Sequence, residues 1–224
     1  TNAVGSLLST SVAGLYGTLT IGSRGNAEYI IDDNNAAVQA LRLNSNTLGE
    51  TFTYEFHDAD GLVSFARIFI TIRGANDTPI GVDDDGSVFE AGGVNNTTPG
   101  AASSLPNVLN NDTDVDANGE SKNVTGIRWK KEGVGGVMTG IDATRAGVAA
   151  GAYGTLTMNY DGSYSYVVDQ SATAVQRMVP GDTLIEYFSY VVTDKSGDSD
   201  VAQIRITING ANDNPLAIDD VAFG

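Results

Sequence analysis

The sequence predicts an all-β protein made of β-sandwich units in tandem. Apolar and polar residues alternate over segments such as Phe188–Thr193 and Ile204–Ile208, and a period of two is typical of strands with one buried face. A series of short motifs also occurs twice along the chain, in the same order. Such self-similarity over a domain-sized distance indicates repeated domains.

Further segments supply the other predicted elements. Residues 156–158 and 164–168 alternate on either side of Asp161-Gly162, a turn signal that predicts a hairpin. Residues 124–130 are predicted as another strand, and residues 171–178 as one short helix with Ser171 as its N-cap. About seven short strands per unit favour an immunoglobulin-like or cadherin-like β-sandwich.

The repeat defines the predicted domain organisation. Gly17-Thr18-Leu19-Thr20 recurs 137 positions later as Gly154-Thr155-Leu156-Thr157, and Gly74-Ala75-Asn76-Asp77 recurs 136 positions later as Gly210-Ala211-Asn212-Asp213. Residues 1–82 are therefore predicted to be the C-terminal portion of one unit, residues 83–218 a complete unit and residues 219–224 the start of a third. Because the chain opens on Thr1, we expect it to be a fragment of a longer protein.

Composition excludes several classes of function. The chain has 12 basic and 28 acidic residues, 21 of them Asp, and a net charge of −16. That sign opposes binding to nucleic acid, where basic side chains must displace phosphate counterions, and it disfavours anionic membrane surfaces. The absence of Cys excludes disulfides, zinc–thiolate sites and a cysteine nucleophile. No apolar run reaches the roughly 18 residues of a membrane span.

The strongest candidate for a metal site is the acidic segment 110–120. Asp112, Asp114, Asp116 and Asn118 occupy alternate positions before Gly119. Calcium prefers six to eight hard oxygen ligands on flexible backbone, which this spacing offers. The alternative is a solvated acidic turn, in which closely spaced carboxylates would repel one another without compensation.

Two further groups of acidic residues are candidate ligands. One lies at the junctions between units, where a cation held from both sides of the linker would fix the angle between neighbours, although an ordinary polar linker is the alternative. The other lies between paired strands, where tight turns explain the residues equally well. The junction residues are Asn76, Asp77, Asp83, Asp84 and Glu90, with Asn212, Asp213, Asp219 and Asp220 in the second copy; the loop residues are Asp58, Asp60, Asp194 and Asp198.

The ordered motifs of the complete unit resemble the VCBS repeat. They are residues 154–157 (GTLT), 161–166 (DGSYSY), 188–194 (FSYVVTD) and 206–215 (ITINGANDNP). The junction is also similar to cadherin, because Val88-Phe89-Glu90 resembles its early glutamate motif and Ala211-Asn212-Asp213-Asn214-Pro215 its linker motif. The chain departs from that linker in having Gly210 or Ala211 in place of the leading Asp.

These resemblances imply a function. VCBS repeats occur in giant surface and biofilm proteins of Gram-negative bacteria, the RTX adhesins, which are commonly exported by type I secretion. The resemblance therefore implies a secreted, monomeric spacer, stiffened by Ca²⁺ and flanked by repeats of the same chain, that holds a distal region for binding a glycan or host surface away from the cell.

Two rival functions differ from this spacer. In the first, the unit itself binds a glycan or a protein through its loops, among them the long segment 91–106. In the second, the chain is an enzyme. The sole histidine, His57, lies at the end of an alternating segment beside Asp58 and corresponds to Thr193 in the other copy, so we expect no catalytic role for it and no enzyme.

Overall fold

The computed structural model describes residues 9–93, 96–100, 102–116, 121–131 and 133–213. Fourteen β-strands and one short α-helix form the regular structure of these residues, apart from single 3-10 turns. Contacts divide the chain into a first unit, residues 1–77 with 115–120, and a second unit, residues 78–114 with 121–224. The limits of the sequence repeat at residues 82 and 218 remain a prediction. No helix in the described part of the chain has the length and apolar character needed to cross a bilayer.

The first unit contains two small antiparallel sheets. Strands β1 (Ser9–Ala13), β2 (Gly17–Gly22) and β3 (Ala27–Ile31) form one of them. The single-turn helix α1 (Ala36–Gln39) follows, capped by the Asn35 side chain, which accepts a hydrogen bond from Ala37 N. Strands β4 (Thr47–His57) and β5 (Val63–Arg73) then pair along their whole length.

The second unit contains a six-stranded and a three-stranded sheet. Its strands are β6 (Asp84–Phe89), β7 (Ala102–Ser104), β8 (Asn123–Trp129), β9 (Thr139–Gly140), β10 (Gly147–Ala150), β11 (Gly154–Met158), β12 (Tyr164–Val168), β13 (Thr183–Thr193) and β14 (Ser199–Asn209). The larger sheet has the order β7-β6-β14-β13-β8-β9, and the smaller has the order β10-β11-β12.

The core of the second unit joins these two sheets. Leu156 and Tyr166 of the smaller sheet belong to the same buried cluster as Phe188, Ile204 and Ile206 of the larger one. The predicted alternation along β13 and β14 thus marks the buried face, and the predicted all-β sandwich fold is confirmed. Strand β8 also confirms the strand predicted over residues 124–130.

The hairpin predicted around Asp161-Gly162 is confirmed as well. Strands β11 and β12 are antiparallel, with Met158 opposite Tyr164. Gly162 has a φ of 81°, which favours glycine at this turn. Ser163 donates from its N and Oγ to Asp161 Oδ1, at 3.0 and 2.6 Å.

The helix predicted over residues 171–178 is wrong. Only one 3-10 turn forms there, Val175–Arg177, and its N-cap is Ala174 rather than Ser171. Ser171 donates instead from its N and Oγ to Asp169 Oδ1, at 2.9 and 2.6 Å. Such local side-chain hydrogen bonds compete with helix formation.

Strand β6 determines where the acidic residues of the second unit lie. It pairs in parallel with β14, with Asp84 opposite Ile204 and Val88 opposite Ile208. This pairing places Asp84 beside the middle of β14 and Glu90 just past its end. The two candidate ligands therefore lie at opposite ends of β6.

Candidate cation-binding sites

Two carboxylates share one hydroxyl at the start of the second unit. The Tyr190 Oη lies 3.0 Å from Asp84 Oδ2 and 3.0 Å from Asp112 Oδ1. Asp112 is buried, and its Oδ1 also accepts a hydrogen bond from Val82 N at 2.7 Å. A phenol has a single proton to donate, so it cannot fully compensate two ionised carboxylates.

Burial makes ionisation of this pair costly. Burial, together with the nearby Asp112 charge, raises the pKa of Asp84 to about 7, although the Tyr190 hydrogen bond opposes the shift. Burial also raises the pKa of Asp112, against the hydrogen bonds from Val82 and Tyr190 and the charge of Lys122. The Lys122 Nζ donates to the backbone O of Asp112 at 2.6 Å. A bound cation would favour the charged form of both carboxylates.

The side chains of other acidic residues near this pair accept hydrogen bonds from backbone and side-chain N–H groups. Asp83 accepts from Gln203 N at 2.9 Å, and Asp85 forms an ion pair with Arg205 at 2.6 Å. Asp200 Oδ2 accepts from Gly81 N at 2.9 Å, and its charge acts on Asp112. The predicted ligand Asp83 thus links the start of β6 to β14 by a hydrogen bond. Its neighbour Asp84 lies near Asp112.

The predicted calcium segment 110–120 is only partly described. Asp112 and half-buried Asp114 are in the second unit, whereas buried Asp116 is in the first. In the first unit, Asp116 Oδ2 accepts a hydrogen bond from Asp77 N at 2.8 Å, and Asn76 Nδ2 donates to Asp77 O at 3.0 Å. Asn118 lies outside the described residues. The structure therefore brings the predicted residues Asp77 and Asp116 together.

Glu90 is a second buried carboxylate, just past the end of β6. It is 2% exposed, and its Oε1 accepts from Ala211 N at 3.0 Å. Its Oε2 has no hydrogen-bond partner among the described residues. Burial and the charge of Asp213 raise the pKa of Glu90. The predicted ligands Glu90 and Asp213 are thus near each other, beside exposed Asn212, whereas Asp219 and Asp220 lie outside the described residues.

The loop aspartates cap tight turns. Asp58 Oδ1 accepts from Asp60 N at 3.0 Å and Leu62 N at 2.9 Å. Asp194 Oδ1 accepts from Gly197 N at 2.6 Å and Asp198 N at 2.9 Å. These contacts supply the turn geometry that the sequence offered as the alternative to metal binding, with Asp60 and Asp198 exposed.

The described side chains form no complete metal site. In the part of the chain that the structure describes, no group of three or more His, Asp or Glu side chains could hold a metal ion. These carboxylates do fit a hard cation, because Asp112 and Glu90 are buried, Asp84 is half-buried, and burial raises the pKa of all three. The predicted ligand sets remain predictions.

Sequence reasoning missed Tyr190 and Asp200. Tyr190 lies on the apolar side of the β13 alternation, which predicts a core residue and gives no hint of the carboxylates beside its hydroxyl. Asp200 follows Asp198 in a run of polar residues that resembles a loop. Its acidic side chain at the start of a strand was the one feature of the sequence that could have identified it. The exposed His57, by contrast, lies where it was expected, at the end of β4, with its Nε2 3.4 Å from Glu55 Oε1.

Two comparisons with known proteins bear on the family of this chain. Residues 76–210 match the family described as bacterial cadherin-like domain. The chain is also similar to the calcium-binding lectin RapA2 of Rhizobium johnstonii, with 37% identity over 71 residues, which cover 31% of this chain and 29% of that protein. The chain therefore spans less than a third of this relative.

Proposed function

This chain belongs to the bacterial cadherin-like domain family, and on that premise we propose that it is a calcium-stabilised spacer module of a large secreted bacterial adhesin. The proposal includes the RTX type of adhesin, type I secretion and a role in biofilm formation. It also includes a monomeric, non-enzymatic chain whose partners are neighbouring repeats. A distal region, rather than this chain, would bind the target surface.

The observation that carries the proposal is the pair Asp84 and Asp112. Buried Asp112 and half-buried Asp84 lie against one Tyr190 hydroxyl, in a chain with a net charge of −16. Burying a charge is costly unless it is paired or bound to a metal. A divalent cation would convert this unfavourable arrangement into a stabilising one.

Named residues at both ends of β6 would hold the cation. At one end they are Asp84 and Asp112, and at the other Glu90 and Asp213. Calcium would supply positive charge to carboxylates whose ionisation burial makes costly. The protein would supply rigid oxygen ligands on strand ends, so that binding and folding are coupled.

Rough magnitudes support a role in stability. Extracellular calcium modules bind with dissociation constants of about 10⁻⁴–10⁻³ M. At a calcium concentration about tenfold above the dissociation constant, each site would stabilise the folded state by about 1.4 kcal/mol. Two sites would then contribute a sizeable part of a domain's typical stability of about 5–15 kcal/mol.

Calorimetry with matched variants tests the proposal. We expect calcium to raise the melting temperature of the full chain relative to chelator, and to raise it less in Asp84→Asn. Asp33→Asn, which removes one exposed charge of the first unit, should keep the full calcium response. Equal melting temperatures with calcium and with chelator would refute calcium stabilisation.

A second experiment addresses the spacer role separately. Small-angle X-ray scattering of the same samples should give a longer and narrower distribution of molecular dimensions in calcium than in chelator. If calcium raises the melting temperature but leaves the scattering unchanged, the ion stabilises the units without stiffening the chain. The spacer proposal would then be wrong, although calcium binding would stand.

Carbohydrate binding is the second candidate function. The relative RapA2 is named a lectin, and the outward face of β5 exposes Phe65 and Phe69, at 68% and 72%. Exposed aromatic rings offer flat apolar surface for a sugar ring. A glycan array in calcium tests this function: hits that disappear in the double variant Phe65→Ser, Phe69→Ser would favour it over the spacer.

A further inference from the structure

Among its described residues, the first unit has no strands that correspond to β6 and β8, which complete the larger sheet of the second unit. In the second unit, β13 lies between β14 and β8, and β14 lies between β13 and β6. Their counterparts in the sequence repeat, β4 and β5, pair only with each other among the described residues. The outer edges of β4 and β5 therefore carry backbone groups that no described strand pairs.

Corresponding residues of β4 and β13 are large and apolar or aromatic in both units but differ in burial. Tyr54 is half-buried, whereas its counterpart Tyr190 is fully buried. Phe56 is 51% exposed, and Val192 at the corresponding position is 0% exposed. The sequence of β4 is therefore that of a central strand, although in this structure it lies at an edge.

An open groove adjoins the free edge of β4. It has a volume of about 1540 Å³ and is lined by β1, β2 and β4, with apolar side chains that include Val12, Leu19 and Phe52. Small-molecule pockets usually measure about 300–1,000 Å³, so the groove suits a polypeptide better than a small ligand. The structure thus combines a free strand edge with an apolar groove beside it.

The second unit shows what fills the equivalent space. Strand β8 pairs with β13 there, with Ile127 opposite Tyr190 and Val124 opposite Val192. Val124 and Ile127 are fully buried and belong to the core cluster, which also contains Leu156, the counterpart of Leu19. One strand therefore covers both the edge and the groove in the complete unit.

We propose that the groove of the first unit binds a β-strand with the sequence of β8, as part of a segment like residues 83–137. The strand adds antiparallel to β4, with its Ile opposite Tyr54 and its Val opposite Phe56, as the offset of 136 between the copies requires. Backbone hydrogen bonds to the free edge supply affinity, and the alternate apolar side chains supply specificity.

Charge also favours this occupant. Residues 121–131 contain four basic residues, Lys122, Arg128, Lys130 and Lys131, and no acidic residue, in a chain with a net charge of −16. Strand β4 carries two acidic residues, Glu50 and Glu55. Opposite charges across an interface favour encounter and correct orientation.

Fluorescence anisotropy on the full chain tests the proposal. A labelled peptide of residues 121–131 should bind one site per chain, in calcium and in chelator alike, because the groove contains none of the proposed calcium ligands. A peptide with Val124→Ser and Ile127→Ser keeps its charge and should bind about tenfold more weakly or worse, since two apolar side chains are lost. Equal binding of both peptides would reduce the interaction to charge and overturn the proposal.

Chain variants locate the site. Phe56→Ser changes an exposed residue of the groove and should weaken peptide binding by about tenfold or more. The control Phe65→Ser, on the face of the β4–β5 hairpin opposite Phe56, should leave binding unchanged. Unchanged binding to Phe56→Ser would place the peptide elsewhere, for instance by exchange with β8 of the second unit, and would overturn the proposal.

Two further results would also overturn it. One is that neither the short peptide nor a fragment of residues 83–137 binds the chain at all. The other is a dimer of the chain, seen by sedimentation velocity, that neither of these ligands dissociates, because a second copy would then be the occupant. Dissociation of such a dimer by the short peptide, but not by its Ser variant, would support the proposed site.

Discussion

The Tyr166 hydroxyl donates a hydrogen bond to Glu186 Oε1, and the same pair recurs in the first unit as Tyr29 and Glu50. The second carboxylate oxygen accepts from a backbone N at 2.8 Å in both units, Ala152 in one and Leu15 in the other. In each unit the glutamate therefore links the third strand of the small sheet, and the loop between its first two strands, to the long hairpin. The contact is a shared feature of the repeat that the sequence motifs alone did not reveal.

Removing the phenol should destabilise the second unit. Glu186 is 4% exposed, so Tyr166→Phe leaves a buried carboxylate oxygen without its donor, at a cost of about 1–3 kcal/mol. Urea denaturation followed by Trp129 fluorescence measures this cost, because the single tryptophan lies in the second unit.

The neighbouring Tyr187 provides the matched control. Its ring lies beneath Lys131, with the Nζ 3.9 Å from the ring centroid. Tyr187→Phe keeps this ring contact and should change the free energy of unfolding by less than about 0.5 kcal/mol. Equal effects of the two variants would mean that the bond to Glu186 has no special role.

The strands with strict alternation could be predicted from the sequence. Phe188, Tyr190 and Val192 alternate with more polar residues in β13, and all three are fully buried. This pattern arises because successive side chains point to opposite faces of a sheet. The prediction needed no knowledge of the neighbouring strands, and it is confirmed.

Strand β6 could not be predicted in the same way. Its sequence, DDGSVF, begins with acidic residues and contains Gly86, so that only its last residues alternate. Its place comes from parallel pairing with β14, more than a hundred residues later in the chain. Long-range pairing of this kind leaves little signal in a short segment, because context outweighs intrinsic strand propensity.

The candidate sites, too, could be predicted from the sequence only in part. The clusters of acidic residues are visible in the sequence. The sequence did not predict that Asp84 and Asp112, which belong to two different predicted groups, lie together in the fold. The turn aspartates Asp58 and Asp194 could not be separated from ligands in the sequence, since the same residue type caps turns and binds cations. Only the fold shows which oxygens accept backbone hydrogen bonds.

Gly86 provides a test of how tightly β6 is packed. A Cβ at this position would lie 2.6 Å from Tyr164 Oη and 2.8 Å from Ile206 Cδ1. Gly86→Ala should therefore destabilise the second unit by about 1–3 kcal/mol through overpacking. At Gly126 the nearest atom would be Val191 Cγ2 at 3.4 Å, and Gly126→Ala should be tolerated. Chemical denaturation that ranks the two variants in the opposite order would contradict the packing of β6.

The raised pKa of Asp84 predicts an unusual pH dependence without metal. Burial raises this pKa from 3.8 to about 7, so the folded protein holds a proton that the unfolded chain releases near pH 4. The free energy of unfolding should consequently fall as the pH rises from about 4 to 7 in chelator. Calcium, which binds the ionised form, should reduce or reverse this loss.

Asp84→Asn separates this effect from general charge repulsion. The variant should be more stable than the parent in chelator at pH 7.5, flatten the pH dependence and lose part of the calcium response. Asp33→Asn removes the same charge at an exposed position and should do none of these. Thermal melts of the three proteins at pH 5 and 7.5 decide between the two causes, and a parent that grows more stable over this range in chelator would contradict the raised pKa.

Glu90 extends the test to the other end of β6. Its buried Oε2 has no hydrogen-bond partner among the described residues, and Gln at this position can keep the hydrogen bond from Ala211 N through its amide oxygen while losing the charge. Glu90→Gln should therefore equal or exceed the parent's stability in chelator, and its calcium-dependent gain should be smaller by about 1.4 kcal/mol, the value of one weak site. Glu28→Gln, at an exposed position of β3, should behave like the parent in calcium titrations followed by calorimetry. A Glu90→Gln variant that loses stability in chelator but keeps the full calcium gain would show that Glu90 has a structural role after β6 and binds no cation.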